Sequence, residues 1–206
     1  MIDWSEVVDE KLEEGHSVRK ETDVNKFHAS WLGKCKRQIY NSKAGLSEFD
    51  RHSLGSMKVG TLIHSWFADD VELEGVDNEI SVSQELVHNG ERLKLVGRFD
   101  AADEEAVYDF KTTAGIRYVR NSPKDYHIAQ LMCYMYCTGK RKGKLVYVSK
   151  SDMEVVEHEV HFDKEWFEGK LDKLVEVKQA FQEMLDHGEL DRNPFEKCGC
   201  WLCRNE

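Results

Sequence analysis

The chain has 206 residues, of which 40% are hydrophobic and 33% are charged, and it contains only 2 prolines and 14 glycines. This composition excludes a disordered chain, a collagen-like repeat and a small disulfide scaffold, because the chain can bury a sizeable core without crosslinks. The formal net charge of −10 argues against a protein that binds polyphosphates through an overall positive charge.

Nothing in the sequence indicates a membrane protein. No stretch of roughly 18 residues is both apolar and uncharged, so no transmembrane helix is expected. The first residues, MIDWSEVVDEKLEE, are acidic and amphipathic, which fits neither a secretory signal nor a transit peptide. We therefore expect a cytoplasmic protein with no membrane partner.

The charge is unevenly distributed along the chain. Between Thr112 and Lys150 there are eight basic residues and one acid, which gives +7 over 39 residues and leaves −17 on the remaining 167. This basic zone is either an electrostatic contact surface for nucleic acid or an ordinary solvated face.

Hydrophobic periodicity predicts helices and then strands in the first half of the chain. Apolar residues recur at helical spacing over 3–14, in a short helix from Ser30 that carries Leu32, Cys35 and Ile39, and over 53–73. An acidic loop is expected over 72–79. The period then changes to two, which predicts strands over 81–88, 93–99 and 106–110. Asn89-Gly90 is a strong signal for the hairpin turn between the first two.

The sequence of the second half predicts a helix over 126–138 and strands over 145–149 and 155–162. Asp163 is the expected N-cap of a long helix that extends to about Leu185. This order predicts an α/β or α+β fold. We expect residues 1–206 to form one domain, with a helical N-terminal segment over 1–60, a core over 61–162, and a final helix and cysteine-rich tail over 163–206.

Two carboxylates and a lysine lie where neighbouring strands end. Asp100 ends the second strand, and Asp109 and Lys111 close the third on one face. Two carboxylates held together bind a hard cation such as Mg²⁺ or Mn²⁺, and an adjacent lysine can activate water and stabilise charge on a phosphate. The alternative is a cross-strand salt-bridge cluster at a sheet edge.

Two helices could contribute to the same site. His64 lies in an otherwise apolar helical stripe, where it is either a hydrogen-bonded core residue or a third metal ligand. Gln130 and Tyr134 lie one turn apart on the next helix, where they could contact a phosphate backbone or form an ordinary helical pair.

The chain has six cysteines: Cys35, Cys133, Cys137, Cys198, Cys200 and Cys203. In a cytoplasmic chain, clustered cysteines bind metal more often than they form disulfides. Cys133 and Cys137 lie at helical spacing beside apolar residues, which predicts core positions for both.

These motifs together resemble a known family. Gly97–Asp100 as GxxD, Asp109–Lys111 as DxK, Gln130–Tyr134 as QxxxY and the upstream His64 occur in the order seen in RecB-like nucleases of the PD-(D/E)XK superfamily. One upstream cysteine and three C-terminal ones resemble the CRISPR-associated exonucleases and their phage relatives, whose four cysteines hold a 4Fe–4S cluster. The resemblance covers roughly residues 30–203.

The resemblance implies a restriction-endonuclease-like α/β fold, with a central mixed sheet flanked by helices and the two ends of the chain tied by the cluster. It implies that Mg²⁺ or Mn²⁺ is bound by His64, Asp100, Asp109 and the carbonyl of Phe110. Lys111 would be the catalytic lysine, and Gln130 and Tyr134 would assist catalysis and DNA binding.

The cluster ligands implied by the resemblance are Cys35, Cys198, Cys200 and Cys203. The run Cys198-x-Cys200-x-x-Cys203 is tighter than the family spacing. Zinc on four thiolates is therefore the alternative, and so is recruitment of Cys133 or Cys137.

The function implied is a metal-dependent DNA exonuclease that acts on single-stranded or frayed ends, 5′→3′. It would process DNA before CRISPR spacer integration or serve phage recombination and repair, with CRISPR integrase proteins or phage recombination proteins as partners. The part of the basic zone over 117–144 is the candidate DNA channel. In addition to Gln130 and Tyr134, the residues expected to contact DNA there are Arg117, Tyr118, Arg120 and Lys124. The alternatives are a non-cleaving nucleic-acid-binding or scaffold module that an iron–sulfur or zinc site stabilises, and a restriction-type endonuclease.

Overall fold

The computed structural model describes residues 4–14, 20–70, 74–200 and 203. Its helices are α1 (Trp4–Glu14), α2 (Lys36–Ala44), α3 (Arg51–Asp70), α4 (Asp125–Thr138) and α5 (Lys164–His187). Its strands are β1 (Lys26–His28), β2 (Asp77–His88), β3 (Glu91–Ala102), β4 (Ala106–Thr113), β5 (Lys142–Ser149) and β6 (Val155–His161). Short 3₁₀ turns cover Ala29–Trp31 and Ile116–Tyr118. Within these residues, no helix is both long and apolar enough to cross a bilayer.

The strands form one mixed sheet, which confirms the predicted α/β fold. β2 pairs antiparallel along one edge of β3. The other edge of β3 is shared: β1 runs parallel to residues 94–96, and β4 runs antiparallel at Ala101 and Ala102. β4 continues the sheet through parallel pairing with β5, and β5 pairs antiparallel with β6. Residues 97–100 of β3 therefore border a fork, where β4 has separated from β3.

Two predicted features of local structure are confirmed in detail. Asn89 and Gly90 have φ angles of 50° and 80°, which are the values that a type I′ hairpin turn requires, and His88 pairs with Glu91 across it. Asp163 caps α5 by accepting a hydrogen bond from the backbone N–H of Trp166 at 3.0 Å.

The N-terminal segment differs from the prediction of helices alone. It contributes β1, a three-residue strand too short for its periodicity to be read from the sequence. The helix expected from Ser30 is interrupted after the 3₁₀ turn, and α2 begins only at Lys36, with Cys35 extended at its N-cap (φ −75°, ψ 162°). At this break Gly33 packs so closely on Tyr126 that a Cβ would overlap with the Tyr126 backbone. The loop that carries Cys35 thus rests directly on the start of α4.

The acidic loop expected over 72–79 is shorter than predicted, because β2 begins at Asp77. Residues 72 and 73 of that loop lie outside the described residues, as do residue 3 of the first predicted helix and residues 71–73 of the third. The cysteine-rich tail is described only to residue 200 and at Cys203.

The core lies between the sheet and helices α4 and α5. α4 packs against β2, β3, β4 and β5, and α5 packs against α2, β2 and β3. Among the side chains with at most 1% exposure are Leu95, Phe99, Leu131, Tyr147, Leu174 and Phe181. Burial of each such side chain contributes roughly 1.5–3 kcal/mol. This core fixes α4 beside the fork, while α3 contacts β4 and α1 packs on α3.

Candidate active site

Two side chains from the predicted motifs satisfy the backbone groups that the fork leaves without strand partners. Tyr134 on α4 donates its hydroxyl hydrogen to the carbonyl oxygen of Arg98 at 2.9 Å. The backbone N–H of Phe110 donates to Asp100 Oδ2 at 2.6 Å. Because an unpaired backbone group at a partly buried position is costly, these two contacts stabilise the separation of β3 from β4.

Gly97 is required because the ring of Tyr134 lies directly over it. A Cβ at this position would stand 2.7 Å from Tyr134 Cε1 and 3.0 Å from the Cβ of Ala29. The glycine of GxxD and the tyrosine of QxxxY, which are far apart in the sequence, thus pack against each other.

Gly97→Ala should lower the free energy of unfolding by about 1–3 kcal/mol, because the added methyl group overpacks this contact. Urea denaturation followed by circular dichroism measures the change. Gly169→Ala is the matched control, since a Cβ there meets nothing within 4 Å; in the middle of α5 it should raise stability by about 0.5–1 kcal/mol. Equal stability of Gly97→Ala and the wild type would contradict the packing argument.

Asp109 is the most deeply buried acid of the site, with 2% of its surface exposed. Its Oδ2 lies 2.7 Å from Lys111 Nζ, yet the geometry is not that of a hydrogen bond, and no described residue donates one to this oxygen. Burial raises the pKa of Asp109 to about 6; the charge of Lys111 opposes this rise and that of Asp100 adds to it. A buried carboxylate oxygen without a donor is a position that a cation would satisfy.

His64 reaches the same carboxylates from α3. Its Nδ1 lies 3.0 Å from Asp100 Oδ1, so Asp100 links α3 to the backbone of Phe110 on β4. The ring of Phe67 stacks on that of Phe110, with centroids 4.6 Å apart, and this contact seats α3 on β4. Asp100 thus contacts both His64 and Phe110, and the charges of Asp100 and His64 act on Asp109, which precedes Phe110 on β4.

The chemistry of these donors fits a hard divalent ion, because oxygen atoms predominate and one of them is buried without a hydrogen bond. The possible metal-binding atoms of these residues are less closely grouped than those of the cysteines described below. Among the described residues, only the four cysteines place one ligand atom each within 4.8 Å of all the others. The described contacts of Asp100 are to His64 and to the backbone N–H of Phe110, the residue that follows Asp109.

Sequence reasoning missed two residues that border this site from β2. Asn78 and Glu79 line a cleft of about 10 Å³ together with His64, Asp100 and Phe110. Glu79 has a φ of 53°, and the pairing of β2 with β3 is interrupted where Glu79 faces Asp100. No sequence signal indicates this, because a left-handed backbone at a glutamate is set by tertiary contacts.

His127 on α4 is a third residue that was missed. The hydroxyl of Tyr147 accepts a hydrogen bond from the Lys124 N–H at 3.0 Å, so its own proton points to His127 Nδ1, 2.8 Å away. Burial, with the charges of Lys111 and Lys124, lowers the pKa of His127 to about 3. The imidazole is therefore neutral, with its proton on Nε2. Its position one turn before Gln130 is the sequence signal that could have identified it.

The structure places Tyr134 in the core, with 2% of its surface exposed. Gln130 Nε2 donates to the Tyr134 hydroxyl at 2.7 Å. The pair thus lies on one helical face, as the spacing indicates, and the hydrogen bonds described for these two side chains are to each other and to Arg98.

The residues predicted to contact DNA divide into exposed and paired groups. Tyr118 is 72% exposed, and the guanidinium of Arg117 lies over its ring at 4.7 Å from the centroid. The backbone N–H of Lys124 donates a hydrogen bond to the hydroxyl of Tyr147. Tyr147 on β5 pairs with Lys111 on β4, so this bond holds Lys124 near the site. Arg120 instead forms an ion pair with Glu154 at 2.5 Å.

The basic zone is not one continuous surface, which corrects the prediction of a channel over 117–144. Lys142 begins β5 and Ser149 ends it. At roughly 3.3 Å per residue these positions are about 23 Å apart. Lys142 and Lys144 pair with Glu105 and Glu157 at the start of β5, away from Lys111. Only the part from Arg117 to Lys124 lies at the end of the sheet that carries the site.

Four of the six cysteines converge, as predicted. Cys35 Sγ lies 3.6 Å from Cys203 Sγ and 3.9 Å from Cys200 Sγ, and Cys198 Sγ lies 3.7 Å from Cys203 Sγ. We call Cys35, Cys198, Cys200 and Cys203 the four-cysteine site. Cys133 is buried in the core, as predicted, and neither it nor Cys137 belongs to this group.

Comparisons with solved structures identify proteins of similar fold. The protein SSO0001 has a similar structure, with a TM-score of 0.62 and 21% identity, covering 87% of this chain and 88% of that one. The alkaline exonuclease LHK-Exo from Laribacter hongkongensis matches with a TM-score of 0.55 and 15% identity, over 82% of this chain and 95% of its own.

A phage-related exonuclease from Haemophilus somnus 129PT matches with a TM-score of 0.51 and 11% identity, over 79% and 96% of the two chains. No curated protein matches the chain by sequence. The model of the PD-(D/E)XK nuclease superfamily matches residues 19–205. This chain therefore belongs to the PD-(D/E)XK nuclease superfamily, whose nucleases use divalent metal ions.

Proposed function

We propose that this protein is a DNA exonuclease that uses Mg²⁺ or Mn²⁺ and acts on single-stranded or frayed ends. The observation that carries the proposal is the buried Asp109, whose Oδ2 faces the ammonium group of Lys111 at 2.7 Å and accepts no aligned hydrogen bond from the described residues. A salt-bridge cluster, the alternative from sequence, does not need a carboxylate whose burial raises its pKa to about 6. Similarity to two proteins named as exonucleases supports the choice of reaction.

The chain supplies a distinct role for each residue. Asp100 and Asp109, with His64 and the Phe110 carbonyl, would hold the divalent ion, which when bound polarises the phosphodiester and lowers the pKa of water. Lys111 carries a fixed positive charge 2.7 Å from Asp109, where it can stabilise the negative charge that develops on the phosphate. His64 holds Asp100 in place through its hydrogen bond.

We assign Tyr134 and Gln130 to positioning the fork. The hydroxyl of Tyr134 donates to the carbonyl oxygen of Arg98 and its ring covers Gly97, so it fixes this part of β3 against α4. DNA contact falls instead to Arg117, Tyr118 and Lys124, which supply positive charge and a ring on which a base can stack. LHK-Exo has been crystallised with dAMP, which supports a nucleotide-binding role for this fold.

Tyr118→Ala should weaken binding of single-stranded DNA by about 5- to 100-fold, because a stacked base contributes roughly 1–3 kcal/mol. Fluorescence anisotropy in Ca²⁺, at low and fixed salt, measures binding without cleavage. Trp4→Ala is the control, since Trp4 is an exposed aromatic residue on α1. If both variants bind as the wild type does, Tyr118 has no part in binding DNA.

We further propose that residues 1–206 act as one nuclease domain, since β1 from the N-terminal segment pairs with β3 and α5 packs on α2. The similarity to RecB-like nucleases favours 5′→3′ polarity and a cytoplasmic role in CRISPR DNA processing or phage recombination. CRISPR integrase or phage recombination proteins would then be its partners.

Cleavage assays on end-blocked substrates test the proposal. With Mn²⁺ or Mg²⁺, linear single strands should be degraded, a block at the 5′ end should protect them, and circular single strands should persist. If a block at the 3′ end protects the strands and a block at the 5′ end does not, the enzyme degrades DNA in the 3′→5′ direction. Cleavage of circles would identify an endonuclease, and absence of metal-dependent cleavage would favour a binding module.

A further inference from the structure

The four-cysteine site joins two segments that the fold places without help from a metal. Lys173 on α5 donates hydrogen bonds to the carbonyl oxygens of Leu32 (3.1 Å) and Lys34 (2.8 Å), on the loop that leads into Cys35. The preceding glycine of that loop, Gly33, rests on the backbone of Tyr126. Protein contacts on two sides therefore hold the backbone of the loop that carries Cys35.

The C-terminal cysteines are held in the same way. Asn193 donates from Nδ2 to the carbonyl oxygen of Arg37 at 2.9 Å and to Asn41 Oδ1 at 2.6 Å. Arg37 donates back to the carbonyl oxygen of Phe195 at 2.9 Å. These contacts attach the tail to α2 just before Cys198 and bring the C-terminal cysteines close to Cys35.

The spacing of the sulfurs distinguishes between the two kinds of metal centre that four thiolates bind. Around one tetrahedral ion with metal–sulfur bonds of 2.3 Å, the sulfurs stand about 3.8 Å apart. In a 4Fe–4S cluster each thiolate binds a different iron, which places the sulfurs on the order of 6 Å apart. The measured separations are 3.6, 3.7 and 3.9 Å, and all pairs lie within 4.8 Å.

We infer that the four-cysteine site binds a single tetrahedral metal ion, zinc, in place of the 4Fe–4S cluster that the family resemblance implies. The separations of the sulfurs match the edge lengths of a tetrahedron with one thiolate at each corner and zinc at its centre. The compact run Cys198-x-Cys200-x-x-Cys203 fits the smaller centre as well, since three of the four ligands come from six consecutive residues.

Lys173 is the positioning residue of this centre. Its ammonium group fixes the Cys35 loop and adds a positive charge near four thiolates, whose total charge exceeds that of one divalent ion. Lys173→Met should weaken zinc binding by about 10-fold or more, and Lys173→Arg should restore part of it. Competition with a chromophoric chelator measures the affinity directly.

Metal analysis of the full-length protein tests the inference. The protein is produced in medium supplied with both iron and zinc and is purified without oxygen. We expect a colourless protein with one zinc per chain and no acid-labile sulfide. A brown protein with about four irons and four sulfides per chain would overturn the inference, and so would protein without any bound metal.

Cobalt and two variants locate the metal. Co²⁺ should replace zinc and give the thiolate charge-transfer and tetrahedral d–d absorption bands of four-sulfur coordination. Cys200→Ser should lose the metal, whereas Cys137→Ser, at a half-buried cysteine outside the site, should keep it. Because Cys200→Ser could fail to fold, the cobalt spectrum of the wild type is by itself a sufficient test of the proposal. An octahedral spectrum without thiolate bands would contradict it.

Discussion

Asp109→Asn should reduce metal-dependent DNA cleavage by roughly 100-fold or more, because it removes the anionic oxygen that is buried without a hydrogen-bond donor. The amide has nearly the same shape as the carboxylate, so the fork should persist. A gel assay on labelled linear single-stranded DNA with Mn²⁺ measures the loss of rate. Circular dichroism of the same preparation shows whether the fold is intact.

The same variant makes a prediction about stability that separates catalysis from folding. Burial raises the pKa of Asp109 from 3.8 to about 6, so the folded protein binds this proton more tightly than the unfolded chain does. The stability contributed by the protonated form is present at low pH and is lost as the pH rises from about 4 through 6. Without metal, Asp109→Asn should lack this loss and be at least as stable as the wild type at pH 8.

Thermal unfolding in a chelator, from pH 4 to pH 8, measures this difference. Glu105→Gln is the control, since the side chain of Glu105 is 79% exposed; it should change neither the rate of cleavage nor the pH profile. A strongly destabilised Asp109→Asn protein at pH 8 would indicate that Asp109 and Lys111 form a structural ion pair. Unchanged cleavage would remove Asp109 from the proposed active site.

Loss of the metal from the four-cysteine site should lower the free energy of unfolding by roughly 5 kcal/mol, because the crosslink closes a very long loop. Cys35 and Cys203 are 168 residues apart, so their connection removes much of the conformational entropy of the unfolded chain. Urea denaturation of the wild type and of Cys200→Ser, both under reducing conditions, measures the difference.

Two comparisons make the stability experiment decisive. Cys137→Ser changes a cysteine outside the site and should shift the urea midpoint only slightly. The wild type treated with a strong chelator should fall to the stability of Cys200→Ser. If chelation leaves the urea midpoint unchanged, the site contributes no crosslink, whichever metal it binds.

Features that depend on neighbours in the chain were predictable from the sequence. The Asn89-Gly90 turn, the Asp163 cap and the alternation of β2 and β3 each rest on residues within a few positions of one another. Asp100, Asp109 and Lys111 belong to this class too, since a hairpin of known register brings strand ends together. The four cysteines at the two ends of the chain were expected to share a site because their layout resembles that of a known family, and they do converge.

Tertiary structure alone decided how those parts are joined. β1, the break before Cys35 and the left-handed Glu79 all depend on contacts between distant residues, for which local propensity is weak evidence. The division of the basic zone follows from the length of β5, which carries Lys142 and Ser149 to opposite ends of the sheet. The sequence by itself determined which groups are available for the proposed chemistry. The packing of α3 and α4 on the forked sheet decided where they meet, because distances between residues far apart in the chain are set by the core that holds them.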